Sequence, residues 1–191
     1  MHHKPDRLPP VPQDAWTPDQ ARYAQEIIDG PRGALISPFV PLLRSPELMG
    51  HAQRMGEYLR YRSVLPLRLS ELAILVTARH WSQQVEWAIH APIAERAGVA
   101  ASTIAAIEQG RHPLELPEDE AVVFAFSTEL HHNRGVSDAT WADALRLFGE
   151  QGAVDLIGIN GYYALLSMVM NAARTEVPAS TARPLPPFPD V

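Results

Sequence analysis

The sequence predicts an all-α protein, and three observations carry that reading. No segment alternates apolar and polar residues long enough to make a strand. Helix-start signals, a hydroxyl residue followed by proline, stand at Thr17-Pro18 and Ser45-Pro46. Between the chain's glycine and proline breaks, apolar residues return every three or four positions.

Taken in order, residues 1–16 read as an N-terminal arm, polar and proline-containing, with no apolar stretch of the signal-peptide kind over 1–12. Residues 17–176 read as one helical domain. Its first helix starts at Thr17, with Pro18 at the first helical position and Gln20 placed to complete a capping box, and stops near Gly30. The segment GPRGALISPFVPLLRSP, 30–46, holds four prolines and predicts a loop with a short helical turn near 40–43. The helix after Ser45-Pro46 covers 47–61 and is amphipathic through Leu48, Met55 and Leu59. Two more follow over 67–80 and 83–97, the second stopped by Gly98. Pro92 lies inside that second helix and removes a backbone hydrogen bond, so a kink or an early break is expected there. A short helix over 102–109 ends at Gly110, and helices over 117–131, 137–148 and 153–173 complete the domain. The tail, 177–191, holds five prolines in fifteen residues and is expected to be extended, either disordered or draped over a neighbour.

Composition removes several classes of function. At 191 residues with 46% hydrophobic and 20% charged residues, the chain is able to bury a single core. Sixteen Lys and Arg against twenty-two Asp and Glu leave a net charge of −6, with the basic residues scattered singly. A phosphate backbone rewards clustered positive charge, so no nucleic-acid partner is expected. There is no cysteine, which excludes disulfides, CxxC redox pairs, thiolate nucleophiles and thiolate-bound zinc. Residues 153–170 approach membrane-spanning length but carry Asp155, Asn160 and two glycines. They read as a buried core helix, so no membrane partner and a cytoplasmic location are expected.

Three residues stand out chemically. Glu71 shares a helical stripe with Leu67, Ile74, Leu75 and Ala78, with Val64 just before the helix. A carboxylate buried there either finds a donor or keeps its proton, and both states suit a general acid or base. The competing structural reading pairs Glu71 with Arg68 or Arg79. Glu86 and His90, at i and i+4, share one face of the next helix beside Trp87 and Ile89. A carboxylate beside an imidazole fixes its tautomer and raises its pKa, as a proton shuttle needs. His131 and His132, near a helix C-terminus, are read as favourable charges against the helix's partial negative end, and His80 likewise. Tyr162 and Tyr163 are read as core residues, with room for one hydroxyl near the site.

The stretch LPLRLSELAILVTARHWSQQVEWAIHAPIAERAGV, 65–99, resembles the central motif of the carboxymuconolactone decarboxylase and alkylhydroperoxidase D superfamily. Redox members carry a glutamate, cysteines twelve and fifteen residues later, and a histidine at nineteen. From Glu71 those offsets land on Gln83, Glu86 and His90, so the glutamate and histidine match while both cysteines are replaced. A weaker likeness extends over 45–170, through PELMGHAQRMGEYLRYRSVLP and GYYALL. The resemblance implies an alkylhydroperoxidase D-like helical bundle assembling as a trimer or hexamer. It also implies thiol-free chemistry nearer the decarboxylase side, a lyase of aromatic catabolism acting on a small carboxylated lactone.

On that reading Glu71 and His90 transfer protons, Glu86 orients His90, Gln83 hydrogen-bonds the substrate, Arg68 and Arg79 neutralise its carboxylate, and Trp87 forms a pocket wall. No cofactor is expected. Two alternatives stay open: a metal bound by Glu71, Glu86 and His90, and a non-catalytic ligand-binding or assembly protein that keeps the pocket. The homo-oligomer is expected to use the tail or the 30–46 loop to close a neighbour's pocket.

Overall fold

The computed structural model describes residues 5–177 and Leu185. Among them are eight α-helices and a short 3-10 turn, and no strand. They are α1 (Pro18–Asp29), α2 (Phe39–Leu42), α3 (Pro46–Tyr61), α4 (Leu67–His80), α5 (Gln84–Arg96), α6 (Ala101–Glu108), α7 (Glu118–Asn133) and α8 (Asp138–Ala173).

Local chemistry explains most of the boundaries. Thr17 accepts from the Gln20 amide at 3.2 Å while Gln20 Oε1 accepts from the Thr17 amide at 2.9 Å, the reciprocal box expected from the sequence. Pro46 stands at the start of α3, but the Ser45 side chain makes no cap bond. α5 runs through Pro92 to Arg96 without the expected break, packed against α4 and α6, which hold the turn that proline weakens. The two helices expected over 137–148 and 153–173 are both present within α8, separated at Gly149.

α4 is the centre of the molecule. Every residue from Leu69 to Arg79 is buried, as in a helix enclosed on all sides, and α5, α7 and α8 pack around it. α8 is long and apolar enough to cross a membrane by length and composition, yet it packs as a core helix. Its Asp155 is buried and satisfied by the Tyr58 hydroxyl at 3.0 Å, the Ser63 hydroxyl at 2.9 Å and the Val64 amide at 3.1 Å. That one carboxylate ties α8 to the end of α3 and the α3–α4 turn.

α3 presents a different face from the one expected. Leu48 and Met55 are exposed and only Leu59 of the three is buried, whereas Met49, Ala52, Gln53 and Gly56 face inward. Small residues decide this. A Cβ at Gly50 would collide with the Tyr23 ring, and one at Gly56 with the Tyr162 hydroxyl, so the helix turns its glycines toward its neighbours to admit those rings. The N-terminal arm lies against the end of α8, where the Arg7 amide donates to the Ala173 carbonyl at 2.7 Å. Most of the proline-rich tail lies outside the described residues. Leu185 is buried and exchanges two hydrogen bonds with the Gln84 side chain at the start of α5.

Candidate active site

The site is built where α4 and α5 cross. Gln83 precedes α5 and caps it: its Oε1 accepts from the Val85 amide at 2.6 Å and the Glu86 amide at 3.4 Å, and its Nε2 donates to Asn171 on α8 at 2.8 Å. That anchor sets the helix so that Glu86 and His90, one turn apart, face α4. There His90 Nδ1–H donates to Glu71 Oε2 at 2.7 Å, and Nε2 lies 3.3 Å from Glu86 Oε2. All three side chains are at most 3% exposed. Tyr163 of α8 sits edge-on to the imidazole at 5.0 Å between ring centroids.

Burial alone would strip the proton from His90, but the hydrogen bond and charge of Glu71, with those of Glu86, outweigh it and lift its pKa to about 9. At neutral pH the site holds an imidazolium between two acids. Glu71 Oε1 and Glu86 Oε1 are buried without a hydrogen-bond partner among the described residues. Burial pushes the phenol of Tyr163 well up, as do Glu86 and Glu71; that of Tyr162 rises to about 12, mainly through burial, against the opposing field of Arg32.

A cavity of about 20 Å³ opens beside this group, lined by Glu86, His90, Tyr162, Tyr163, Arg32 and Arg60. That is space for about one water. Ser37 and Pro38 help to close it, so the proline-rich loop seals a cavity of its own chain. The Arg32 guanidinium lies 4.9 Å from the Phe39 ring centroid, and its Nε is buried without a partner. Neither Arg32 nor Arg60 has a carboxylate partner among the described residues.

The structure therefore brings together Glu71, Glu86 and His90, and it disposes the two acids in a definite order. Glu71 lies behind His90, away from the cavity, while Glu86 and His90 line it. The four residues expected to hold substrate are elsewhere. Gln83 is spent on the α5 cap. Arg68 pairs with Glu120 and Asp119 on α7. Arg79 donates to the Glu108 carbonyl and the Ser82 hydroxyl. Trp87 is core, 1% exposed, and does not line the cavity. The expected pairing of Glu71 with either arginine is likewise replaced by its bond to His90. In place of Arg68 and Arg79 the cations at the cavity are Arg32 and Arg60, one in the loop and one at the end of α3. The only sequence signal for Arg32 was a lone cation between the breakers Gly30-Pro31 and Gly33. Both Tyr162 and Tyr163 line the cavity, where one hydroxyl at most was expected. No group of three or more His, Asp or Glu among the described residues is arranged to hold a metal, and His90 directs both ring nitrogens at carboxylates.

No family model and no curated protein matches the sequence. Solved structures do. An alkylhydroperoxidase AhpD core, a peroxidase-related protein from Ralstonia eutropha JMP134, superposes with a TM-score of 0.74 at 15% identity, over 94% of this chain and 95% of that one. The chain has the alkylhydroperoxidase D-like fold. A peroxidase-related protein from Silicibacter sp. TM1040 shares this fold with a TM-score of 0.72 at 13% identity, over 97% of this chain and 99% of that one. So does the debrominase Bmp8, at 0.69 and 14%, over 90% and 92%. This chain of the alkylhydroperoxidase D-like fold has no thiol, and its Gln83 and Glu86 stand where the redox motif it resembles carries cysteines. One of these replacements caps a helix and the other faces the imidazole.

Proposed function

We propose that the chain is an acid–base enzyme that decarboxylates or isomerises a small carboxylated lactone or related organic acid. The observation that carries the reading is the buried imidazole, held by Glu71 on one nitrogen and facing Glu86 and a closed cavity with the other. Glu71 serves as the positioning residue, fixing the ring and keeping it charged. His90 supplies the proton, and Glu86, within reach of Nε2, exchanges it. In a decarboxylation the bond to the carboxylate carbon breaks and carbon dioxide leaves. The electron pair remains as a dienolate, and a proton moves from His90 to carbon. One proton taken up from solvent through Glu86 then replaces it and restores the imidazolium.

Arg32 and Arg60 support an anionic substrate. Two cations with no acidic partner among the described residues border a site that already holds two carboxylates, and a substrate carboxylate placed between them would lie beside positive charge. A cavity sized for a single water requires Arg32 and the 37–38 turn to swing aside for a substrate, and their return excludes solvent from the dienolate. The motif's resemblance to the decarboxylase branch supports a step of cytoplasmic aromatic catabolism.

Turnover of carboxylated lactones by the wild type and by Glu71→Gln, His90→Ala and Arg60→Gln variants is the test. His90→Ala is expected to lower kcat by at least about 100-fold, Glu71→Gln to lower it less, and Arg60→Gln mainly to raise KM. Unchanged activity in both Glu71→Gln and His90→Ala removes the site. Stabilisation by such acids without turnover in any protein moves the reading to a ligand-binding protein that has kept the pocket.

A further inference from the structure

A second cavity lies away from the Glu71–His90–Glu86 group, between the C-terminal ends of α4 and α6 and the face of α7. Its volume is about 230 Å³. His80, His112, His131 and His132 all line it, together with Arg79 and Arg111. These are four of the six histidines within the described residues. No carboxylate lines it among the described residues. In a chain of net charge −6 that gathering of nitrogen donors is unlike the rest of the molecule.

The rings form flat walls. His80 stacks on His131 with centroids 4.8 Å apart and planes 17° from parallel, and His132 meets His80 edge-on at 5.1 Å. His112 meets Phe124 edge-on at 4.9 Å. Val76 and Ile107 complete an apolar floor. His131 is held by the Thr77 hydroxyl at 2.9 Å, which fixes the stack to α4. Burial and the neighbouring imidazoles push the His131 pKa down to about 4, and burial lowers that of His80. His131 is neutral at pH 7, and burial favours the neutral form of His80 stacked on it. The helix-end reading from the sequence, which needs charged imidazoles, is therefore corrected for His131 and His80: they are packed against one another. Fixed charge comes instead from Arg79, which is anchored to the Glu108 carbonyl, and from Arg111, which has no ion-pair partner among the described residues.

Stacked imidazoles, an aromatic side wall and an arginine with no acidic partner among the described residues describe a site for a ring that carries a negative charge. We infer that this cavity is a binding site for a small aromatic carboxylate, separate from the acid–base centre, with the ring against the His80–His131 stack and Phe124 and the carboxylate toward Arg111. The size agrees, since a dry cavity of about 150 Å³ holds benzene and the remainder accommodates a carboxylate. Planar bidentate pairing suits guanidinium to a carboxylate. Inorganic phosphate has the charge but nothing to place against Val76, Ile107 and Phe124. In the sequence His80, His131 and His132 read as helix-end charges and His112 carries no signal, and only the packing of α4 on α7 collects them.

The test is a titration of the full chain at pH 7, read on the ring C–H resonances of the assigned histidines by NMR. Benzoate is the probe, benzyl alcohol supplies the ring without the charge, and inorganic phosphate the charge without the ring. Saturable shifts at His80, His131 and His132 are expected with benzoate, with the other two compounds binding at least about tenfold more weakly. Arg111→Gln, at an exposed position, is expected to weaken benzoate about tenfold, and Thr128→Phe, which fills the cavity, to abolish the shifts. The assignment is overturned by any of four results: no saturable shift at these histidines, shifts confined to His90, phosphate or benzyl alcohol binding as tightly as benzoate, or undiminished binding in both variants.

Discussion

Burial lowers the proton affinity of an imidazole, and at His131 it does so beside other imidazoles, the Thr77 hydroxyl and the Asn160 amide, with no carboxylate among the causes of the shift. At His90 the same burial is overcome by two carboxylates, one at 2.7 Å and one at 3.3 Å. The two residues therefore bend the pH dependence of stability in opposite senses. Between about 6.5 and 9 the native state holds a His90 proton that the unfolded chain releases, so the contribution of His90 to stability is full below pH 6.5 and is lost as pH rises through 9. Between about 4 and 6.5 the unfolded chain binds a proton that native His131 refuses, so stability falls as pH drops through that window. Urea midpoints from pH 4 to pH 10 are expected to peak near neutrality, with an alkaline limb of on the order of 3 kcal/mol at most. His90→Ala should flatten that limb; an alkaline loss of the same depth in the variant contradicts the assignment. The reactive trio itself was legible, because an i,i+4 pair and a carboxylate in an apolar stripe are local patterns. The order of the two acids was not, since it depends on which side of the imidazole the cavity falls.

At the scale of elements, helix ends are governed by residues within a turn of the end, and here those residues are informative. Thr17 with Gln20, Pro18, Pro46 and Gly98 all sit where the helices start or stop. Gly149 is the sharpest case. Its φ of 67° and ψ of 178° lie in a region open to glycine alone, and a Cβ there would meet nothing within 4 Å. The cost of Gly149→Ala is therefore purely one of backbone conformation. It is expected to destabilise by about 1–3 kcal/mol in chemical denaturation with the fold retained by circular dichroism, and an unchanged midpoint would show that α8 straightens freely. Which face a helix turns inward is less local. α3 looked as though it packed by Leu48 and Met55, but the space required by Tyr23 and Tyr162 selects its glycine face instead.

For the molecule as a whole, the packing leaves apolar side chains outside on both α8 and α3. On α8, Val154, Ile157 and Met168 are 60%, 41% and 47% exposed, and their spacing returns to one face. On α3, Leu48 and Met55, seven residues apart, are 45% and 44% exposed. We propose that further copies of the chain cover these faces in a homotrimer or a dimer of trimers. Light scattering is expected to give three or six times the 21.1 kDa chain mass, and Val154→Glu with Ile157→Glu to lower it. A monomer at micromolar concentration would contradict the assembly.

The chain by itself determined the helical class, nearly every helix boundary, the absence of thiol chemistry and the acid–imidazole–acid trio, because each rests on composition or on residues within two turns of one another. Only the tertiary structure decided that Arg32 and Arg60, rather than Arg68 and Arg79, border the reactive group, and that histidines from α4, from α7 and from beyond α6 share one hollow. Those arrangements arise where distant segments pack, and shape complementarity between faces has no counterpart in local spacing.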